Sequence, residues 1–106
     1  MELTAGMITK IAMQELERRN CFVWRSNNLS VPGRKFVGLK GVPDICGFHK
    51  QTGMAVYCEV KTKNDKLSNF QINFMNRASQ SNCLCLMAMD ENGKVILKQW
   101  QTIEPK

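Results

Sequence analysis

The 106-residue sequence predicts an α/β domain in which a central mixed β-sheet is flanked by two helices. Three observations carry this reading. Two segments, one near the start of the chain and one after residue 66, repeat apolar residues at helical spacing. Five runs of strand length, apolar on at least one face, fill much of the remainder. A hydrophobic content of 43% against 23% charged residues suits a folded chain with one modest core, and no internal repeat or low-complexity linker divides it.

Leu3 to Arg19 reads as the first helix, with Met7, Ile8, Ile11, Ala12 and Leu16 as its inward stripe. Glu15 falls within that stripe, where a carboxylate either reaches solvent at the helix end or points into a polar site. Cys21 to Arg25 is a short strand dense in apolar side chains. Ser26 to Lys40, rich in Asn, Ser, Gly and Pro, is a loop long enough to imply function or mobility, and Phe36-Val37 inside it offers a few residues of further strand. Two runs, Cys46 to Phe48 and Met54 to Cys58, then flank a turn at Lys50 to Gly53, which is a hairpin signal.

Thr62 to Lys66 is a polar link into the second helix. Ser68 is its predicted N-cap, and Gln71 reaches back to the Ser68 amide in a capping box. Leu67, Phe70, Phe74 and Ala78 form the stripe toward the sheet, with Gln71 at its edge; Ile72 falls off it as an exposed apolar contact for a partner subunit. Cys83 to Met89 suits a strand buried on both faces. Asp90 to Lys94 is a turn, and Val95 to Trp100 returns as a further strand with Trp100 packing at the sheet edge.

Two acids and a lysine interrupt the hairpin strands. If His49 faces Met54, the same register sets Asp44 opposite Glu59, with Cβ atoms roughly 4.5–5.5 Å apart and both side chains on one face. Lys61 joins them two residues on, whereas Ile45, Gly47, Met54, Val56, Cys58 and Val60 take the other face as core. Paired carboxylates repel unless a proton or a cation intervenes. Their oxygens select a hard ion, Mg²⁺ or Mn²⁺. A metal held by Asp44 and Glu59, with the backbone carbonyl of Val60 close by, could polarise a phosphodiester and acidify a bound water, and Lys61 could orient that water or stabilise the pentacovalent charge. The alternative for the trio is a salt-bridge cluster on an exposed strand face.

Pro43-Asp44, fourteen intervening residues and Glu59-Val60-Lys61 resemble the PD-(D/E)XK nuclease signature. The ordered set Gly41-Val42-Pro43-Asp44, Glu59-Val60-Lys61-Thr62 and Leu67-Ser68-x-x-Gln71 resembles its VRR-NUC branch, and the resemblance runs from the first helix to about Ala88. It implies a restriction-endonuclease-like core of αβββαβ type, related to archaeal Holliday junction resolvases and to the nuclease module of the Fanconi-associated nuclease. It also implies a Mg²⁺- or Mn²⁺-dependent DNA endonuclease with Asp44, Glu59, Lys61 and Gln71 as site residues. Glu2 matches the acid that such domains carry at the start of the first helix, where it helps shape the metal site. Branched DNA, such as a four-way junction, and a homodimer are the substrate and assembly expected by that resemblance.

The net charge of +6, from 15 Lys and Arg against 9 Asp and Glu, favours a polyanionic partner, with nucleic acid ahead of membrane. Arg34, Lys35, Lys40 and Lys63 are the cations placed to contact DNA phosphates; their alternative is ordinary solvated charge. No apolar run approaches membrane-span length and no secretory leader pattern opens the chain, so an intracellular protein, in cytoplasm or nucleoid, is expected. Cys21, Cys46, Cys58, Cys83 and Cys85 include no C-x-x-C pair and read as reduced strand filler. Two rivals remain, a non-catalytic basic nucleic-acid-binding module and a structural subunit of a repair or replication assembly. Neither explains two carboxylates on a face meant for a polyanion.

Overall fold

The Thr4 side chain accepts a hydrogen bond from the Met7 amide at 3.2 Å and starts the first helix there. In the computed structural model, which describes residues 2–26, 33 and 38–104, that helix is α1 (Ala5–Arg18). Five strands and a second helix follow: β1 (Cys21–Arg25), β2 (Ile45–His49), β3 (Ala55–Lys61), α2 (Asn69–Gln80), β4 (Leu84–Glu91) and β5 (Lys94–Gln99). Asn20 and Asn82 follow the two helices with φ of 69° and 65°, a conformation that asparagine tolerates better than most residues. Phe36-Val37 lie outside the described residues.

The strands form one sheet in sequence order. β1, β2 and β3 pair antiparallel, β3 and β4 pair parallel across the α2 crossover, and β5 returns antiparallel to β4. The sheet is therefore mixed. Alternating side chains divide between two cores: Ile8, Ala12 and Leu16 of α1 pack with Ile45, Val56, Cys58, Val60, Leu86 and Ala88 on one face. On the other, Ile72, Met75 and Ala78 of α2 pack with Cys85 and Trp100, flanked by Tyr57 and Phe74. No helix among the described residues is long and apolar enough to cross a membrane.

Three expectations are corrected. In α2 the inward stripe is Ile72, Met75 and Ala78; Ile72 is 3% exposed and is no surface contact, while Phe70 is 55% exposed. The apolar residues of this helix wrap more than half its circumference, so periodicity alone did not set its rotation. In α1, Met7 and Ile11 sit at the rim and Thr9 takes a buried place, its hydroxyl satisfied by the Ala5 carbonyl at 2.8 Å. Trp100 packs at the sheet edge as expected, just after the edge strand β5, with its side chain beneath α2 and its indole N–H donated to Asn76 Oδ1 at 3.0 Å. The predicted turn at residues 90–94 also narrows to Asn92-Gly93, whose φ values of 56° and 84° suit a two-residue hairpin.

Candidate active site

Backbone register brings the acids together. β2 and β3 pair Ile45 with Cys58, Cys46 with Tyr57 and Gly47 with Val56, so one further step sets Asp44 against Glu59. There the ladder gives way to a side chain: Asp44 Oδ2 accepts the Val60 N–H at 2.9 Å, and the Asp44 carbonyl accepts the Ser26 N–H at 2.9 Å. Because the N–H and C=O of a strand residue point to the same side, the Val60 carbonyl leaves β3 on the Asp44 side.

The approach to Asp44 explains a glycine. Gly41 has φ of 88°, and a Cβ there would lie 2.3 Å from the Phe70 carbonyl oxygen. The segment thus presses against the first turn of α2, and buried Pro43 anchors it.

Glu59 is 1% exposed, whereas Asp44 is open to solvent. Glu59 Oε1 accepts from Gln71 Nε2 at 3.4 Å, and Oε2 is buried with no hydrogen-bond partner among the described residues. Burial, then the adjacent Asp44 carboxylate, pushes its pKa up to about 10. Gln71 is held at both ends. Its Oε1 accepts the Ser68 N–H at 2.7 Å and its own N–H donates to Ser68 Oγ at 3.2 Å, which leaves the amide NH₂ free to reach Glu59. The capping role and the site role coexist.

These residues line a cleft of about 300 Å³ with Arg25, Asp65, Lys66 and the first turn of α1 at Ala5 and Gly6. Both helices begin at this cleft and neither carries an acid in its first turn, so two positive helix ends face the carboxylates. Such a site accommodates a cation on its floor and an anion at its rim. The donors are hard oxygens, two carboxylates and a carbonyl, which suits Mg²⁺ or Mn²⁺ rather than a thiophilic ion. Among the described residues no group of three or more His, Cys, Asp or Glu side chains gathers, so remaining positions would fall to water or substrate.

The other expected site residues are dispersed. Lys61, Glu2 and Lys63 line a neighbouring cleft of about 490 Å³ with Asp90. Glu2 and Lys63 approach to 3.8 Å, both well exposed, an arrangement that adds little stability. Hydrogen bonding to Thr62, with a smaller contribution from Lys61, holds the Asp65 carboxyl below the usual carboxylate range. Glu15 takes the solvent alternative: it pairs with Arg18 at 2.6 Å and Arg19 at 2.9 Å, and their hydrogen bonds lower its pKa to about 2. Lys40 is exposed, with Nζ 5.1 Å from the Phe70 ring centroid, while Arg34 and Lys35 lie outside the described residues. Arg25, Asp65 and Gly6 were missed as cleft residues; only Asp65, three residues beyond Thr62 in a turn-forming link, carried a local signal.

Residues 34–88 match the VRR-NUC domain model, a span that contains both carboxylates, Lys61 and Gln71. The chain belongs to the VRR-NUC family. Among solved structures it resembles the Holliday junction resolvase of the archaeal hyperthermophile Archaeoglobus fulgidus, with a TM-score of 0.52 and 16% sequence identity. The alignment covers 78% of this chain and 65% of the resolvase, so the chain spans under two thirds of that protein. At this identity the likeness is one of fold, and the fold is the restriction-endonuclease-like one. Comparison with curated protein sequences returns no match.

Proposed function

We propose that this VRR-NUC protein is a divalent-metal-dependent DNA endonuclease that hydrolyses phosphodiester bonds. The observation that carries the reading is the Asp44–Glu59 pair, in which a buried carboxylate oxygen has no hydrogen-bond partner among the described residues and sits beside a second, open carboxylate. A structural acid would be expected to have that oxygen satisfied. A bound Mg²⁺ or Mn²⁺ would supply the Lewis acidity that polarises the phosphodiester and acidifies a water. Asp44, Glu59 and the Val60 carbonyl are the groups to hold it. Gln71, fixed by Ser68, keeps Glu59 from rotating away. The two helix N-termini and Arg25 draw the phosphate to the rim, and Lys61 serves the attacking water or the developing charge from the adjacent cleft.

The reading extends to branched DNA, four-way junctions above all, since the structural neighbour is by name a Holliday junction resolvase. A homodimer would present two such sites to two strands of a symmetric junction. Lys40 and Lys63, with Arg34 and Lys35, are the cations proposed to grip the backbone. Incubating the protein with linear, flapped and four-way DNA, with and without Mg²⁺, tests the assignment. Mg²⁺-dependent cutting that disappears in Asp44→Asn is expected; cutting retained by that variant would refute it.

A further inference from the structure

A third cleft, of about 460 Å³, opens beside α2. Its apolar lining includes Tyr57, Phe70 and Phe74, and Tyr57 meets Phe74 edge-on with centroids 5.0 Å apart. Lys40 and Arg77 stand at its rim, and among the described residues no acid lines it. On α2, Phe70, Phe74 and Arg77 recur at helical spacing along one stripe. The cleft adjoins the candidate active site at two places: Phe70 precedes Gln71, and Tyr57 lies two residues before Glu59 on the same face of β3.

From this arrangement we infer that the cleft binds an unpaired nucleotide of the DNA, its base stacked on Phe70 with Tyr57 and Phe74 behind, its phosphates held by Lys40 and Arg77. The inference rests on the endonuclease reading for its ligand class. Its size falls in the range of small-molecule sites, and an aromatic wall with a cationic rim and no carboxylate complements a base joined to phosphate. Phe70 supports the assignment separately. It is the large aromatic that α2 leaves 55% exposed while smaller Ile72 is buried, and its cation contact with Lys40 is at the surface. An entering base takes the ring face as the ammonium moves to the phosphate. Unpaired nucleotides occur at branch points and flaps, so the cleft would hold the strand beside the scissile bond.

The test is metal-free binding, measured in EDTA by anisotropy on a labelled single-stranded oligonucleotide carrying 2-aminopurine and on a blunt duplex of equal length. Wild-type protein should quench the 2-aminopurine. Phe70→Ala should lose the quenching and about tenfold in single-strand affinity while changing duplex affinity less than twofold, and Phe70→Trp should retain both. Arg77→Ala should flatten the single-strand dependence of log K on log salt by about 0.7. Equal weakening on both DNAs, or no weakening, overturns the inference, as does a change of oligomeric state in Phe70→Ala by light scattering, which would make the cleft a contact between copies. Because no metal is present, these outcomes are independent of whether the protein cuts.

Discussion

Glu59 should make the metal-free protein less stable as pH rises. Its ordinary pKa is 4.5, and burial together with Asp44 takes it to about 10 in the folded state. Below 4.5 both states hold the proton. Between 4.5 and 10 the unfolded chain releases it while the folded chain keeps it, so unfolding becomes easier by up to about 1.4 kcal/mol per pH unit. From pH 5 to 8 the full effect is on the order of 4 kcal/mol; partial solvation from the open Asp44 side leaves about half of it, which for a domain of this size is a fall of about 10 °C in Tm. The lowered pKa values of Glu15, Asp65 and Asp90 act with the opposite sign but below this window, and the raised thiols of Cys58 and Cys85 act above it. Calorimetry in EDTA from pH 5 to 9 should show the fall in wild type and its removal in Glu59→Gln. Mg²⁺ should recover stability increasingly at high pH, because the ion competes with the proton for the carboxylates. A flat wild-type profile, or an equal slope in Glu59→Gln, would refute the reasoning.

Other perturbations separate the roles of individual residues. Asp44→Asn should abolish cutting while leaving DNA binding equal or tighter, since it removes a proposed metal ligand and also a charge that repels phosphate; weaker binding by anisotropy would count against this. Ser68→Ala and Gln71→Ala should each lose about 1 kcal/mol through the capping box, but only Gln71→Ala should also lose cutting and Mg²⁺ affinity, because only Gln71 reaches Glu59. Equal activity in the two variants would reduce Gln71 to a cap. Gly41→Ala should cost more than about 2 kcal/mol, combining a strained φ with a clash against Phe70, as chemical denaturation can measure.

Legibility from sequence followed how local each constraint was. The β2–β3 register was readable because a short turn fixes the pairing, and that register alone set Asp44 beside Glu59. The capping box was readable because Ser68 and Gln71 satisfy each other within one turn. Strand β1 was readable to its residue bounds. Helix rotation was not, since in α2 the apolar residues span too wide an arc for periodicity to choose among them. Nor was the placement of Lys61, which shares a strand face with Glu59 by alternation yet lines the neighbouring cleft.

The rotation of α2 serves the site as well as the core. Gln71 must face β3 to reach Glu59 while its backbone completes the cap on Ser68, and those two demands fix the helix phase within its first turn. With 100° between successive residues, Phe70 and Ile72 fall to either side of Gln71, and it is Ile72, on the side of Met75, that is buried. The same phase lets Gly41 abut the Phe70 carbonyl, so the segment leading to Asp44 can be positioned only by a residue without a side chain. Glycine, glutamate and glutamine, spread from residue 41 to residue 71, therefore meet at the first turn of α2: Gly41 abuts its backbone on the way to Asp44, and Glu59 accepts from its Gln71 side chain.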